Sequence, residues 1–193
     1  MNKIIISLIA IFLMIVNVSH AEAKTLVAVF SRADENYSVG VIKEGNTMIL
    51  AKMIAEKTGA DLFEIKPAKA YPFDYDTTID IAKKELASNA RPEIAEDKDI
   101  SEYDTIFLGY PIWWGDLPMA CYTFLEAHDF SGKKIIPFCT HEGSGMSGTD
   151  SKLKRLLKNA EVLKGLSMRG SKAQNSRDSA KTEINTWLDN LGF

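Results

Sequence analysis

Residues 105–118 read TIFLGYPIWWGDLP, and this stretch decides the fold. Residues 105–110 form a strand-length apolar run. Pro118 suits the first turn of a helix whose pattern runs to about Ala127. A strand, a short loop and a helix in that order are the repeating unit of a parallel sheet. The unit recurs on both sides. Upstream, residues 25–30 (TLVAVF) read as a buried strand and residues 61–65 (DLFEI) as a half-exposed one. Helical spacing of Leu50, Met53, Ile54 and Lys57 predicts a helix over 47–57, with Gly59 as its stop. Ile79, Ala82 and Leu86 share one face of a helix over 77–88. Downstream come a strand over 134–140, a basic helix over 150–159 with Leu153, Leu156 and Leu157 inward, a last strand over 162–168 and a last helix over 176–191. Residues 66–76 and 91–99 read as loops. Strict alternation of this kind predicts an α/β fold, a mostly parallel sheet covered by helices on both faces. No linker, repeat or low-complexity tract divides it.

Composition narrows the function classes. The chain has 193 residues, with 23 basic against 26 acidic side chains and a net charge of −3. No basic excess exists to condense on a phosphate backbone, so nucleic acid is not an expected partner. Two cysteines cannot build a disulfide scaffold or a four-thiolate zinc site, and His128, His141, Cys121 and Cys139 lack ligand spacing, so no metal is expected. The apolar residues are concentrated at the start. Lys3 is followed by a run from Ile4 to Val18 broken only by Ser7 and Asn17, then by Ser-His-Ala and Ala-Glu-Ala. A basic end, an apolar run and small residues at a cleavage point are the plan of a secretory signal peptide. The expected organisation is a signal over 1–23 and one domain over 24–193, with cleavage after Ala21 or Ala23; an uncleaved anchor is the alternative. The mature chain is expected outside the cytoplasm, in the periplasm, without a stable membrane anchor.

In parallel sheets of this class ligands bind beyond the carboxyl ends of the strands. Three loops therefore carry the chemistry. After Phe30 come Ser31-Arg32-Ala33-Asp34-Glu35-Asn36-Tyr37 and then Gly45-Asn46-Thr47 at a helix start. Hydroxyls, an amide and a glycine ahead of a helix N-terminus make an anion site. It lacks the Gly-Lys-Ser/Thr of a Walker loop, which favours a phosphate that is held and not transferred. After Tyr110 come Pro111, Ile112, Trp113, Trp114 and Gly115. Adjacent tryptophans cannot both face one core, so at least one is expected to cover a flat ligand. Gly115 permits the Trp114–Gly115 peptide to turn over. After Thr140 come His141, Glu142, Gly143, Ser144 and Gly145, a glycine-rich loop that lets backbone approach a ligand closely. Topology converges the three loops on one pocket with a phosphate end and a planar, aromatic end.

The stretches TLVAVFSRADENY with GNT, YDTIFLGYPIWWGDLP and IIPFCTHEGSGMSGT resemble the flavodoxin family, and within it a secreted bacterial branch with a longer first loop. The resemblance covers residues 25–193. It implies a flavodoxin-like three-layer sandwich, a five-stranded parallel sheet of order 2-1-3-4-5 and noncovalent FMN. By resemblance, Ser31, Arg32, Ala33, Asn46 and Thr47 form the phosphate cradle, with Asn36 and Gly45 in the same two segments. Pro111, Ile112, Trp113, Trp114 and Gly115 lie beside the isoalloxazine, one tryptophan against the ring. Thr140, Glu142, Gly143, Ser144 and Gly145 lie on its pyrimidine side. Asp34 departs from the pattern, standing where many relatives have glycine, and is left out of the cradle.

The implied function is a carrier of low-potential electrons between a redox protein or small-molecule acceptor and its donor, acting as a monomer. An aromatic cover and a negative protein both lower a flavin's potential. The alternative is an FMN-dependent NAD(P)H:quinone-type oxidoreductase on the same fold, and a third is a binding module that has lost the flavin. A serine hydrolase is excluded: neither Ser144 nor Ser147 sits in G-x-S-x-G, and no histidine follows them. Cys121 and Cys139 are expected as buried free thiols, His141 as a loop-edge side chain, and Glu35 and Asp116 as solvated or capping acids.

Overall fold

The computed structural model describes residues 24–193; the expected signal segment lies outside them. The central strands are the continuous apolar runs, as burial on both faces requires. They are β1 (Lys24–Val29), β5 (Tyr103–Pro111) and β6 (Lys134–His141). The sheet order is β4-β1-β5-β6-β7, with β4 at Asp61–Glu64, β7 at Glu161–Val162, and β8 at Leu166–Arg169 also paired to β6. All these pairs are parallel. Counting β7 and β8 as one interrupted strand, this is the expected order 2-1-3-4-5.

The period of two along each strand divides the core. Leu26, Ala28, Ile106, Leu108 and Tyr110 face one side, with Cys121 and Phe124 of α3 (Met119–Ala127) and Leu153 of α4 (Thr149–Leu156). Val27, Val29, Phe107, Ile136 and Phe138 face the other, with Leu50 and Ile54 of α1 (Asn46–Thr58) and Ile184 and Leu188 of α6 (Arg177–Leu191). The result is three layers. Cys121 and Cys139 are free and buried. Among the described residues no helix is long and apolar enough to cross a membrane.

The structure differs from the sequence reading in five places. The last strand is not continuous: β7 pairs Val162 with Ile135, whereas β8 pairs Leu166 with Phe138, so the edge strand carries one extra residue. Leu163 N donates to Ile135 O at 2.9 Å, so by alternation Pro137 presents its missing N–H to the same edge. The ladder breaks where that donor is absent. The basic helix α4 ends at Leu156, which is exposed, while Leu157 is buried; Leu156 does not face inward. The first loop contains an antiparallel hairpin, β2 (Asp34–Asn36) and β3 (Gly40–Ile42). A short helix α5 (Gly170–Asn175) precedes α6. The helix α2 (Tyr75–Ala87) also begins two residues earlier than its periodicity indicates, because Asp74 Oδ1 accepts from Thr77 N at 2.6 Å.

Candidate cofactor cleft at the carboxyl edge of the sheet

The strand order reverses between β1 and β5, and the loops beyond these strands and β6 enclose a cleft of about 310 Å³. Ligand pockets in proteins begin at roughly this size. Nine of the predicted site residues line it: Arg32, Asn36, Asn46, Pro111, Ile112, Trp113, Trp114, Thr140 and Glu142.

At one end, α1 points its N-terminus toward the strand ends, with no acidic residue in its first turn. Ser31 Oγ accepts from Met48 N at 3.0 Å and so caps this helix from the neighbouring loop. Gly45 allows that approach: a Cβ there would lie 2.2 Å from Ser31 Oγ and 2.6 Å from Arg32 O. Arg32 donates to Pro72 O at 2.6 Å, to Phe73 O at 2.7 Å and to Glu35 O. All three partners are main-chain carbonyls, so its charge is not neutralised by a bonded carboxylate. Burial holds the guanidinium's pKa below its ordinary value, with Asp34 and Glu35 opposing. Arg32 Nε and Asn46 Oδ1 are buried without a hydrogen-bond partner. Such orphans are uncommon in folded proteins.

At the other end the two tryptophans part. Trp113 packs edge-on against Phe30 at 5.2 Å and Tyr71 at 5.1 Å, between ring centroids. Trp114 is 49 % exposed, donates its indole N–H to Ile79 O at 2.9 Å, and carries Lys83 5.0 Å above its ring. Trp113 and Asp116 exchange both backbone hydrogen bonds, at 2.9 and 3.0 Å, around Trp114 (φ 52°) and Gly115 (φ 78°). Two positive φ values in a two-residue loop define a type I′ turn. Turning the Trp114–Gly115 peptide over would give type II′, which favours glycine at the place Trp114 holds. The geometry therefore opposes the mobility that Gly115 alone implies. Asp116 is likewise not a solvated acid: it is 6 % exposed and bonded on both oxygens.

On the third side, Thr47 and Thr140 share a buried hydroxyl hydrogen bond of 2.7 Å between α1 and β6. Glu142 accepts from Ser171 N at 2.6 Å and Ser171 Oγ at 3.0 Å, which ties its carboxylate to the start of α5. His141 lines the cleft, and its Nδ1 accepts from Gly143 N at 2.8 Å. That bond places the ring proton on Nε2. Burial, then Arg169, lowers the His141 pKa, with Glu142 opposing.

The remaining predicted residues lie around the cleft. Ser31, Ala33 and Gly45 line a neighbouring groove with Lys43 and Lys52. Thr47 is buried beneath the cleft, and Gly115, Gly143, Ser144 and Gly145 do not line it. Asn36 braces its own loop, donating to Ala33 O at 2.9 Å. The sequence reading missed Tyr37, Tyr75, Thr78, Ile79, Ala82 and Gly170, all of which line the cleft. Ile79 and Ala82 were visible as one helical face, but periodicity does not distinguish a cleft wall from a core. Tyr37 and Tyr75 stack at 6.1 Å. Glu35 Oε2 accepts from Tyr75 N at 2.9 Å, so Glu35 caps α2 and holds it over the cleft. Asp34 has φ 68°, a conformation glycine takes freely, so the backbone here suits the glycine that the resemblance implies at this position.

Fold and cleft together define an open, doubly wound α/β protein with a cleft at its topological switch point, where ligands of this class bind. The chain belongs to the flavodoxin family: the family model described as Flavodoxin matches residues 24–191. No curated protein matches it. Among solved structures it is similar to a candidate flavoprotein from Bacteroides eggerthii, with 29% identity and a TM-score of 0.70 over 89% of this chain and 99% of that one. It is similar also to one from Bacteroides uniformis, at 32% identity and a TM-score of 0.67 over 84% and 98%. A flavoprotein from Lactobacillus acidophilus, solved in complex with FMN, shares the fold at 22% identity and a TM-score of 0.61 over 81% and 99%.

Proposed function

We propose that this protein binds FMN in the cleft and carries low-potential electrons between redox partners outside the cytoplasm. One arrangement supports the reading above all: Arg32, bonded to no carboxylate, with the α1 N-terminus at one end and Trp113 with Trp114 at the other. A ligand with an anionic end and a planar end fits both. FMN, when bound, supplies the one-electron chemistry, so the protein needs neither nucleophile nor acid–base pair.

The chain's residues then bind and orient. Arg32 and the α1 N-terminus hold the phosphate, where a positive dipole end and a charge not bonded to carboxylate coincide. Asn46, which lines the cleft, meets the polar part of the ligand. Trp114 supplies ring surface, and Ile79, Ala82 and Ile112 exclude water from the cleft wall. His141 lines the cleft with its ring proton on Nε2, where it can serve as a donor. The secretory segment read from residues 1–23 supports the location. An absorbance spectrum of the purified protein, with chromatography of the released chromophore, tests the cofactor; a colourless protein that takes up no flavin would overturn the proposal.

A second reading has its own observation. Tyr37 is 61 % exposed and Trp114 half exposed at the cleft mouth, leaving aromatic surface for a planar acceptor. This favours an FMN-dependent NAD(P)H:quinone-type oxidoreductase. Steady-state NADH or NADPH oxidation with a quinone distinguishes the two, since a carrier alone turns over neither.

A further inference from the structure

We infer that Asp116 and Lys152 form a fastening between the two loops at the ring end of the cleft, and that both are positioning residues for a ligand they do not touch. The Asp116 carboxylate is buried behind the Trp113–Asp116 turn. Its Oδ1 accepts from Leu117 N and from Tyr122 Oη of α3, each at 2.8 Å. Its Oδ2 pairs with Lys152 Nζ of α4. Lys152 in turn donates its backbone N–H to Gly148 O at 3.1 Å, where the glycine-rich loop enters the helix. One ion pair thus joins the tryptophan turn after β5 to the loop after β6.

A second buried strut runs parallel to it. Tyr110 Oη donates to Thr149 Oγ1 at 2.8 Å, and Thr149 Oγ1 donates to Met146 O at 2.6 Å. The strut orders the loop's middle, and the ion pair fixes the turn. The turn needs fixing because Trp114 holds a left-handed conformation that a bulky residue resists. Such strain persists only where the surroundings over-determine it. From the solvent side α2 supplies the Ile79 and Lys83 contacts to the indole. From the core side Asp116 supplies the other anchor. With Lys152 absent, a buried carboxylate would keep only neutral donors, and it would recruit water or shift to recover solvation.

The test uses Lys152→Met in the full protein, because Lys152 is part-exposed and lies outside the cleft lining. Amide hydrogen exchange without ligand is read over residues 113–116 and 143–148. The expected result is exchange faster by about tenfold or more in both segments, with the hairpin over 34–42 unchanged, and restoration by Lys152→Arg. Asp116→Asn should reproduce the effect if it folds. Unchanged exchange in either segment overturns the inference. The ligand arm rests on the FMN reading: Lys152→Met should weaken FMN binding about tenfold, with Lys152→Arg restoring it. Wild type that takes up no FMN counts against that reading, while exchange alone still decides the fastening.

Discussion

Replacing Trp114 with asparagine should separate the fold from the site. The perturbation acts on three terms. Trp114 sits at φ 52° in the first central place of a type I′ turn, followed by Gly115. A non-glycine residue in that region costs of order 1–3 kcal/mol. Asparagine tolerates it, and Asn-Gly is the preferred pair for this turn, so much of the cost is relieved. Against this stand two losses. The Lys83 cation over the indole, at 5.0 Å, contributes about 0.5–1 kcal/mol at an exposed site. The indole hydrogen bond to Ile79 O contributes about 0.5–1.5 kcal/mol. The terms nearly cancel, so the apo protein should keep its stability within roughly 1 kcal/mol. FMN affinity should fall nonetheless, because aromatic contact is worth about 0.5–1.5 kcal/mol, or roughly two- to tenfold in Kd. Urea unfolding of the apo protein gives the first quantity and flavin fluorescence titration the second. Destabilisation of about 3 kcal/mol or more would refute the strain argument. Unchanged affinity would remove Trp114 from the ring contacts.

Three further substitutions follow from the same geometry. Gly45→Ala places a Cβ within 2.6 Å of Ser31 Oγ and Arg32 O, so overpacking and the lost cap together should cost about 2–4 kcal/mol in urea unfolding and weaken FMN binding. Asp34→Gly relaxes a left-handed residue and removes a negative charge near Arg32; stability should be unchanged or higher, and FMN binding tighter by titration calorimetry. For His141, burial lowers the folded pKa below the unfolded value, so the unfolded state takes up the proton first. Its contribution is present above pH 6.5 and is lost as pH falls from there through the lower folded pKa. His141→Gln should show a flatter dependence of urea midpoint on pH over that acid window, and a slope equal to wild type would contradict this.

The layers were legible because burial on both faces writes itself as unbroken apolar runs. TLVAVF and TIFLGY could occupy only the middle of a parallel sheet. What escaped reading depends on contacts distant in sequence. Pro137 interrupts its neighbour's strand through a missing donor, which shows only once Gly165 and Pro137 are adjacent. The hairpin over 34–42 rests on tertiary support: Arg32 reaches the carbonyls of Pro72 and Phe73 and Glu35 caps α2. Those bonds also swing α2 over the cleft, which is why Tyr75, Thr78 and Ile79 became wall residues. The site's three loops were found by their place after strands. Their inner division was not, since loop composition does not reveal that Glu142 is tied to Ser171 or that Ser31 serves a helix cap.

The central claim is a cleft with an anion-binding end at Arg32 and the α1 N-terminus and a planar end at the tryptophans. Titration of the apo protein with FMN and riboflavin side by side tests it most directly, because the two ligands differ only by the phosphate. Charge-assisted hydrogen bonds of about 1.5–3 kcal/mol each predict one FMN per chain, bound roughly 100-fold or more tightly than riboflavin. Equal affinities, or no binding of either, would contradict the account.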